Sequence, residues 1–165
     1  MFDPKADGWQ PLPSMPTVRK YFAAAAVAGK VYAMGGLDDD SELCDAVEAY
    51  DPRLRRVDSA GEPARGSLPH HTAAVVDGKI YVVGGIIYDD EGEEVATGLV
   101  EMYDPAADSW QQMAAMPTVR YSHASAVMDG KIYVSGGKTS SYPPIFRTRS
   151  KPTTRRRILG QHWRA

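Results

Sequence analysis

The 165-residue sequence predicts an all-β chain of repeated four-stranded antiparallel sheets. Three observations carry that expectation: two markers recurring with one period, and a hairpin signal inside each period. Passages beginning at Val18, Leu68 and Val119 end in paired glycines, Gly35–Gly36, Gly84–Gly85 and Gly136–Gly137, spaced by 49 and 52 residues. An aromatic-Asp-Pro triplet recurs at Phe2, Tyr50 and Tyr103, spaced by 48 and 53 residues. Seven residues after each aromatic stand Trp9, Val57 and Trp110. Two independent markers with one period signal a repeat architecture.

Each period divides into four strands. The first is the Ala/Val-rich run at Ala23–Val27, Thr72–Val76 and Ala124–Met128. A two-residue turn follows at Ala28–Gly29, Asp77–Gly78 and Asp129–Gly130. Such turns need φ > 0, which Gly accepts and Asp tolerates. The second strand is Lys30–Met34, Lys79–Val83 and Lys131–Ser135. The third ends at the aromatic-Asp-Pro triplet. The fourth carries the Trp and stops at Met15–Pro16 or Met116–Pro117. The first two strands are apolar at nearly every residue, which predicts burial of both faces. Paired glycines suit a tight bend and a close backbone approach. Tyr50, Tyr103, Trp9 and Trp110 suit a structural role as wedges between sheets, with polar tips that reach a partner. Val57, within Arg53–Val57, replaces the expected Trp and predicts a frayed outer strand there.

Composition narrows the class. Hydrophobic residues make up 43% and charged residues 24%, as in soluble globular domains. A single cysteine, Cys44, rules out an internal disulfide or a zinc site on paired cysteines and suits a reducing compartment. The apolar run Tyr21–Ala28 is too short to span a bilayer, and the start shows no secretory pattern. A cytoplasmic location and no membrane partner are therefore expected. All 21 Asp and Glu lie at or before Asp129, whereas the last 36 residues hold nine Lys and Arg and no acid. The basic stretch allows three readings: a nuclear-import or nucleic-acid segment, a disordered tail without function, and non-native sequence. Nucleic acid is not the expected partner, and a nuclear location rests on this stretch alone.

Four segments carry a family resemblance: Gly130–Gly137 (GKIYVSGG), Glu101–Pro105 (EMYDP), Asp108–Trp110 (DSW) and Met116–Arg120 (MPTVR). In this order they resemble the kelch repeat, over roughly residues 1 to 137. The resemblance implies a β-propeller of four-stranded blades, with units broken near residues 49 and 102 and residues 138 to 165 outside the repeats. About two complete blades plus two part-blades fit the sequence. That makes an open, partial propeller, since rings close with about 4–8 blades. Open ends expose apolar faces and strand edges. Three explanations follow: a piece of a longer protein, the favoured one because Met1 falls inside a repeat; self-association through the open blade edges; or capping by the last 28 residues.

No catalytic constellation, cofactor or metal site is expected. His70–His71 and His123 sit at the starts of first strands, where a structural role is the ordinary one. The acidic runs Asp38–Glu42 and Asp89–Glu94 lack the alternating spacing of a calcium loop and suit solvated loops. In an up-and-down sheet these runs and the Met-Pro-Thr-Val-Arg turns emerge on one rim. Arg19, Tyr21, Arg120 and Tyr121, with Asp38, Asp39, Asp89 and Asp90, are thus candidate contacts for a protein or peptide. In the competing reading, the arginines pair with neighbouring acids and are structural. The resemblance points most closely to kelch proteins that act as substrate adaptors of ubiquitin ligases. The alternatives are a remnant of a propeller enzyme acting on a carbohydrate or small molecule, like sialic-acid mutarotases or galactose oxidase, and a nonfunctional truncated fragment.

Overall fold

The structure, a computed structural model, describes residues 1–61, 69–90 and 92–139. The basic stretch from residue 140 onward, together with Leu68 and Glu91, lies outside the described residues.

Strands run in chain order as β1 (Phe2–Asp3), β2 (Gly8–Trp9), β3 (Ala23–Val27), β4 (Lys30–Met34), β5 (Val47–Asp51) and β6 (Arg56–Ala60). They continue as β7 (Thr72–Val76), β8 (Lys79–Val83), β9 (Ile86–Tyr88), β10 (Glu94–Ala96), β11 (Val100–Asp104), β12 (Ser109–Gln112), β13 (Ala124–Met128) and β14 (Lys131–Ser135). Two complete antiparallel meanders result, ordered β3-β4-β5-β6 and β7-β8-β11-β12. The pair β13-β14 lies against β7, and β1-β2 forms a separate two-stranded pair.

Turn chemistry sets this order. The turns Ala28–Gly29, Asp77–Gly78 and Asp129–Gly130 all have both residues at positive φ, between 49° and 75°. That is the type I′ backbone whose twist matches the flanking strands. The hairpins that follow the aromatic-Asp-Pro triplet are built differently. Asp51 Oδ1 accepts the N–H groups of Arg53 and Leu54, and Asp104 Oδ1 those of Ala106 and Ala107. These Asx turns reverse the chain, which explains the recurrent Asp. Asp7, Arg55 and Asp108 close the three equivalent hairpins at φ of 45°, 52° and 47°.

The first strands β3, β7 and β13 lie side by side, and the sheets fan out from them. The core lies between the two complete sheets. Ala25, Val27, Tyr32, Met34, Val47 and Ala49 of the first meet Ile80, Val82 and Tyr103 of the second. Ala73, Val75 and Trp110 pack against this cluster. The Tyr32 and Tyr103 rings meet edge to face at 5.9 Å, a favoured aromatic geometry.

Polar contacts fasten the same junction. Asp108 Oδ1 accepts the Tyr103 hydroxyl at 2.6 Å and the Gly61 N–H at 2.9 Å. Trp110 Nε1 donates to the Gly61 carbonyl at 3.2 Å. Burial, and then the bond to Asp108, push the Tyr103 phenol above its ordinary range. Tyr103 and Trp110 therefore form the wedge, their ring centroids 5.0 Å apart. Tyr50 is half-buried opposite Val57.

Four expectations need correction. Double-sided burial of the first strands fails in the flanking units. In β3, Ala23, Ala25 and Val27 are buried while Ala24 and Ala26 are exposed, and β13 is exposed at four of its five residues. Each of these units has a described sheet on one side only, whereas the middle sheet is covered on both. Trp9 is 80% exposed and touches Phe2, because no described sheet precedes its hairpin. The outer strand that carries Val57 is not frayed: β6 pairs with β5 along its whole length. Finally, the acidic run Asp89–Glu94 is not a plain loop but the tip of an added hairpin, β9-β10.

Candidate functional site

The three repeats meet at a belt of residues that leads into the first strands. Tyr21, His70 and Ser122 hold equivalent positions, and all three are left-handed, with φ of 57°, 61° and 51°. A non-glycine residue in this region costs about 1–2 kcal/mol. Blade-to-blade hydrogen bonds hold it there: His70 N–H donates to the Tyr21 carbonyl at 3.0 Å, and Ser122 N–H to the His70 carbonyl at 2.9 Å. Such strain concentrates where structure serves a site. The histidine pair thus precedes β7, with His70 on the belt rather than in a strand.

Side chains continue the belt. The Tyr21 ring, 52% exposed, stacks on His70 at 4.1 Å. His70 Nδ1 lies 3.2 Å from Ser122 Oγ, and its ring meets Tyr121 edge-on at 6.1 Å. Beneath, His123 Nε2 lies 3.0 Å from Thr72 Oγ1. Burial, and then Lys138 nearby, hold His70 below the ordinary histidine pKa. Burial and then Arg120 do the same for His123, against an opposing bond to the Val83 backbone.

The second glycine of the first and third pairs explains itself here. A Cβ on Gly36 would lie 2.5 Å from the Lys20 carbonyl oxygen, and one on Gly137 2.6 Å from that of Tyr121, the equivalent residue. The first glycines Gly35, Gly84 and Gly136 share a φ of 65–70°.

The candidate contacts separate into buried and open groups. The Arg19 side chain is wholly buried. Its Nη2 lies 3.1 Å from Glu48 Oε2, and its Nη1 donates to the Gly35 and Ala46 carbonyls at 3.0 and 2.7 Å. Glu48 Oε1 also accepts the Thr17 N–H at 3.0 Å and its hydroxyl at 2.7 Å. Of the two readings for Arg19, the geometry gives the structural one: the residue clamps the turn to β5. Arg120 repeats the clamp in part, donating to the Gly136 carbonyl, and stays partly open. Tyr121 is fully buried, so Tyr21 is the tyrosine that faces solvent.

The acidic loops are rigidly closed. Asp38 Oδ1 accepts the Glu42 N–H at 2.9 Å, and Asp89 Oδ1 the Glu93 N–H at 2.8 Å. Asp39 and Asp90 point their charge outward. The Lys20 and Leu37 backbones are doubly bonded at 2.8 Å, and Lys20 Nζ donates to Ser41 Oγ at 2.9 Å. The first loop and the turn before β3 therefore share one rim. Lys20 and Ser122 join the site without having been singled out in the sequence, and His70, read there as structural, joins it too. Ser122 and His70 share the repeat position of Tyr21, which was legible, but the differing identities at that position hid it. Among the described residues no three His, Cys, Asp or Glu converge as metal ligands.

Antiparallel four-stranded meanders set side by side through their first strands define a β-propeller architecture, here with two complete blades. A family model described as Kelch motif matches residues 19–56 and 67–117, and the chain belongs to the kelch-repeat family. Human Kelch-like protein 34 is 34% identical over 153 residues, covering 88% of this chain and 23% of that protein. Rat Kelch-like protein 21 is 46% identical over 55 residues, covering 33% of this chain and 9% of its own length. The chain thus spans no more than about a quarter of the curated relatives it matches. A solved structure titled "Structure of YjhT" superposes with a TM-score of 0.70 at 28% identity, covering 78% of this chain and 37% of that one.

Proposed function

We propose that the chain is a protein-interaction module that recognises a basic peptide segment on the rim formed by the acidic loops and the left-handed belt. One observation carries the reading. An exposed aromatic, Tyr21, is held by its stack on His70 next to the first loop, where Asp39 is exposed, and Asp90 is exposed on the matching loop of the next repeat. A fixed aromatic with flanking charge is the composition of binding hot spots. The scaffold presents it at little ordering cost, because both loops are already closed by Asp38 and Asp89. Kelch-like relatives support the interaction role. Within a larger protein the module serves as the substrate-recognition part of an adaptor, of the ubiquitin-ligase kind that the resemblance implies.

The test is peptide selection on the purified chain, followed by fluorescence anisotropy with the selected peptides. Lys- or Arg-rich peptides are expected, with Tyr21→Ala and Asp90→Lys each weakening binding at least tenfold. Peptides that bind both variants as well as the parent would refute the reading. Calorimetric binding of a free sugar at the mouth, with no peptide selected, would favour the enzyme-remnant reading instead.

A further inference from the structure

We propose that Ser122 and His70, with Lys138 beside them, form a proton-coupled site for an oxyanion, the carboxylate or phosphate group of a ligand. The pair lies in the turns that join the second and third repeats, not on a blade face. Ser122 Oγ is 3.2 Å from His70 Nδ1. The backbone brings Lys138 to the same place. Its N–H donates to the Tyr121 carbonyl at 3.0 Å, and the Tyr121 N–H donates back to its carbonyl at 3.1 Å. Tyr121 directly precedes Ser122, and its ring meets His70 edge-on. Leu37 and Ile86 follow the two earlier glycine pairs where Lys138 follows the third, so the cation is particular to this junction.

The pair is set before any ligand arrives. Both residues are left-handed, at φ of 61° and 51°, and the Ser122 N–H is bonded to the His70 carbonyl at 2.9 Å. The Tyr21 ring, stacked on the imidazole at 4.1 Å, fixes the plane of that ring. Little ordering entropy is therefore left to lose on binding. The chemistry turns on one proton. A neutral imidazole can accept the Ser122 hydroxyl proton at Nδ1, which leaves the serine oxygen only lone pairs to offer a ligand. A protonated imidazole donates from both nitrogens. Nδ1–H then takes a lone pair of Ser122 Oγ, and the hydroxyl proton turns outward to meet an anion.

The groups that face the ring explain why the two ligands, anion and proton, help each other. The Tyr21 phenol packs from the turn before β3 and the Tyr121 phenol from the turn before β13. Lys20 and Arg120 lie in the same turns but reach to Ser41 Oγ and to the Gly136 carbonyl. His71 follows on the ring's own turn and is buried. Among the described residues, Lys138 is the charged group whose field acts on His70, and burial followed by that field holds the ring below the ordinary histidine pKa. Protonation of His70 sets a second positive charge near the first, and an anion beside both cancels their repulsion. Linkage makes the effect reciprocal: the anion favours the proton as much as the proton favours the anion. The acidic loops take no part, so failure of this site leaves the peptide reading standing.

Histidine-ring NMR on the full chain tests the site, with His70→Gln used to assign the His70 signals. Sodium sulfate, which keeps its charge throughout the titration, stands in for a phosphate group, and sodium acetate for a carboxylate. Sodium chloride at the same ionic strength is the reference. The His70 midpoint is expected to rise by about one unit in sulfate or acetate, which corresponds to about tenfold tighter binding to the protonated chain. The salt with the larger rise identifies the preferred group. Ser122→Ala and Lys138→Gln are each expected to remove the rise, and Lys138→Gln to lift the midpoint in chloride. Circular dichroism checks the fold of both, and Lys138→Gln carries the test alone if the alanine variant unfolds. A midpoint that is the same in all three salts, or a rise that survives the substitutions, would overturn the site.

Discussion

Replacement of Glu48 by Ala isolates the buried clamp and is expected to destabilise the fold by about 3–5 kcal/mol, the usual cost of breaking one side of a buried ion pair. The structure supports the upper part of that range. The Arg19 side chain is 0% and that of Glu48 7% exposed, so water cannot replace the lost carboxylate. The Thr17 N–H and hydroxyl lose their acceptor in the same step. Set against a total stability of about 5–15 kcal/mol, the loss is a large fraction. Urea unfolding followed by tryptophan fluorescence reads it. With a urea slope of about 1–3 kcal/mol/M, the midpoint falls by at least about 1 M. Asp58→Ala is the control. Its pair with Arg56 has the arginine 63% and the aspartate 38% exposed, and should contribute no more than about 1 kcal/mol. The double variant Arg19→Met with Glu48→Leu should regain only part of the loss, because no buried charge is left unpaired but Thr17 and the Gly35 and Ala46 carbonyls still lack their partners. Equal small midpoint shifts for Glu48→Ala and Asp58→Ala would refute the clamp and return Arg19 to the list of ligand contacts.

Three further outcomes follow from the packing. Asp108→Ala removes the acceptor of both the Tyr103 hydroxyl and the Gly61 N–H and should cost about 1.5–3 kcal/mol in the same unfolding assay; a change below about 0.5 kcal/mol would dismiss the blade junction as a source of stability. Gly137→Ala should lower the melting temperature more than Gly136→Ala, since both have positive φ but only Gly137 would press a Cβ onto the Tyr121 carbonyl; the reverse order would contradict the belt geometry. His70 and His123 both titrate below their ordinary pKa of 6.5, so below that pH the unfolded chain binds more protons than the native one and stability falls with pH. The melting temperature is expected to drop between pH 6.5 and 5, and His123→Gln to flatten that drop; an unchanged slope in the variant would remove His123 as its source.

The fold was legible because each local signal agreed with the repeat. Asp77–Gly78 announces a turn, Tyr103-Asp104-Pro105 a strand end, and their constant spacing joins them into blades. What the sequence hid was context. Ala24 and Ala73 hold equivalent positions in a first strand, yet one is exposed and the other half-buried against the core, because burial depends on whether a sheet stands alongside. Trp9 misled in the same way. The candidate site was half legible. Rim placement followed from strand order, but rotation of each side chain did not. Arg19 turns inward to Glu48, Tyr121 is swallowed by the structure, and Tyr21 turns outward on a backbone that no propensity rule assigns to tyrosine.

The β9-β10 hairpin shows how this scaffold tolerates change. It lengthens one connection between a second and a third strand, while β8 and β11 keep the same antiparallel register that β4 and β5 hold without it. Extra residues at this point are absorbed outside the sheet, so the apolar interior does not register their number. Foreign sequence grafted between Tyr88 and Glu94 would inherit a prebuilt stem, and natural variants can lengthen the same connection to reshape what the molecule grips.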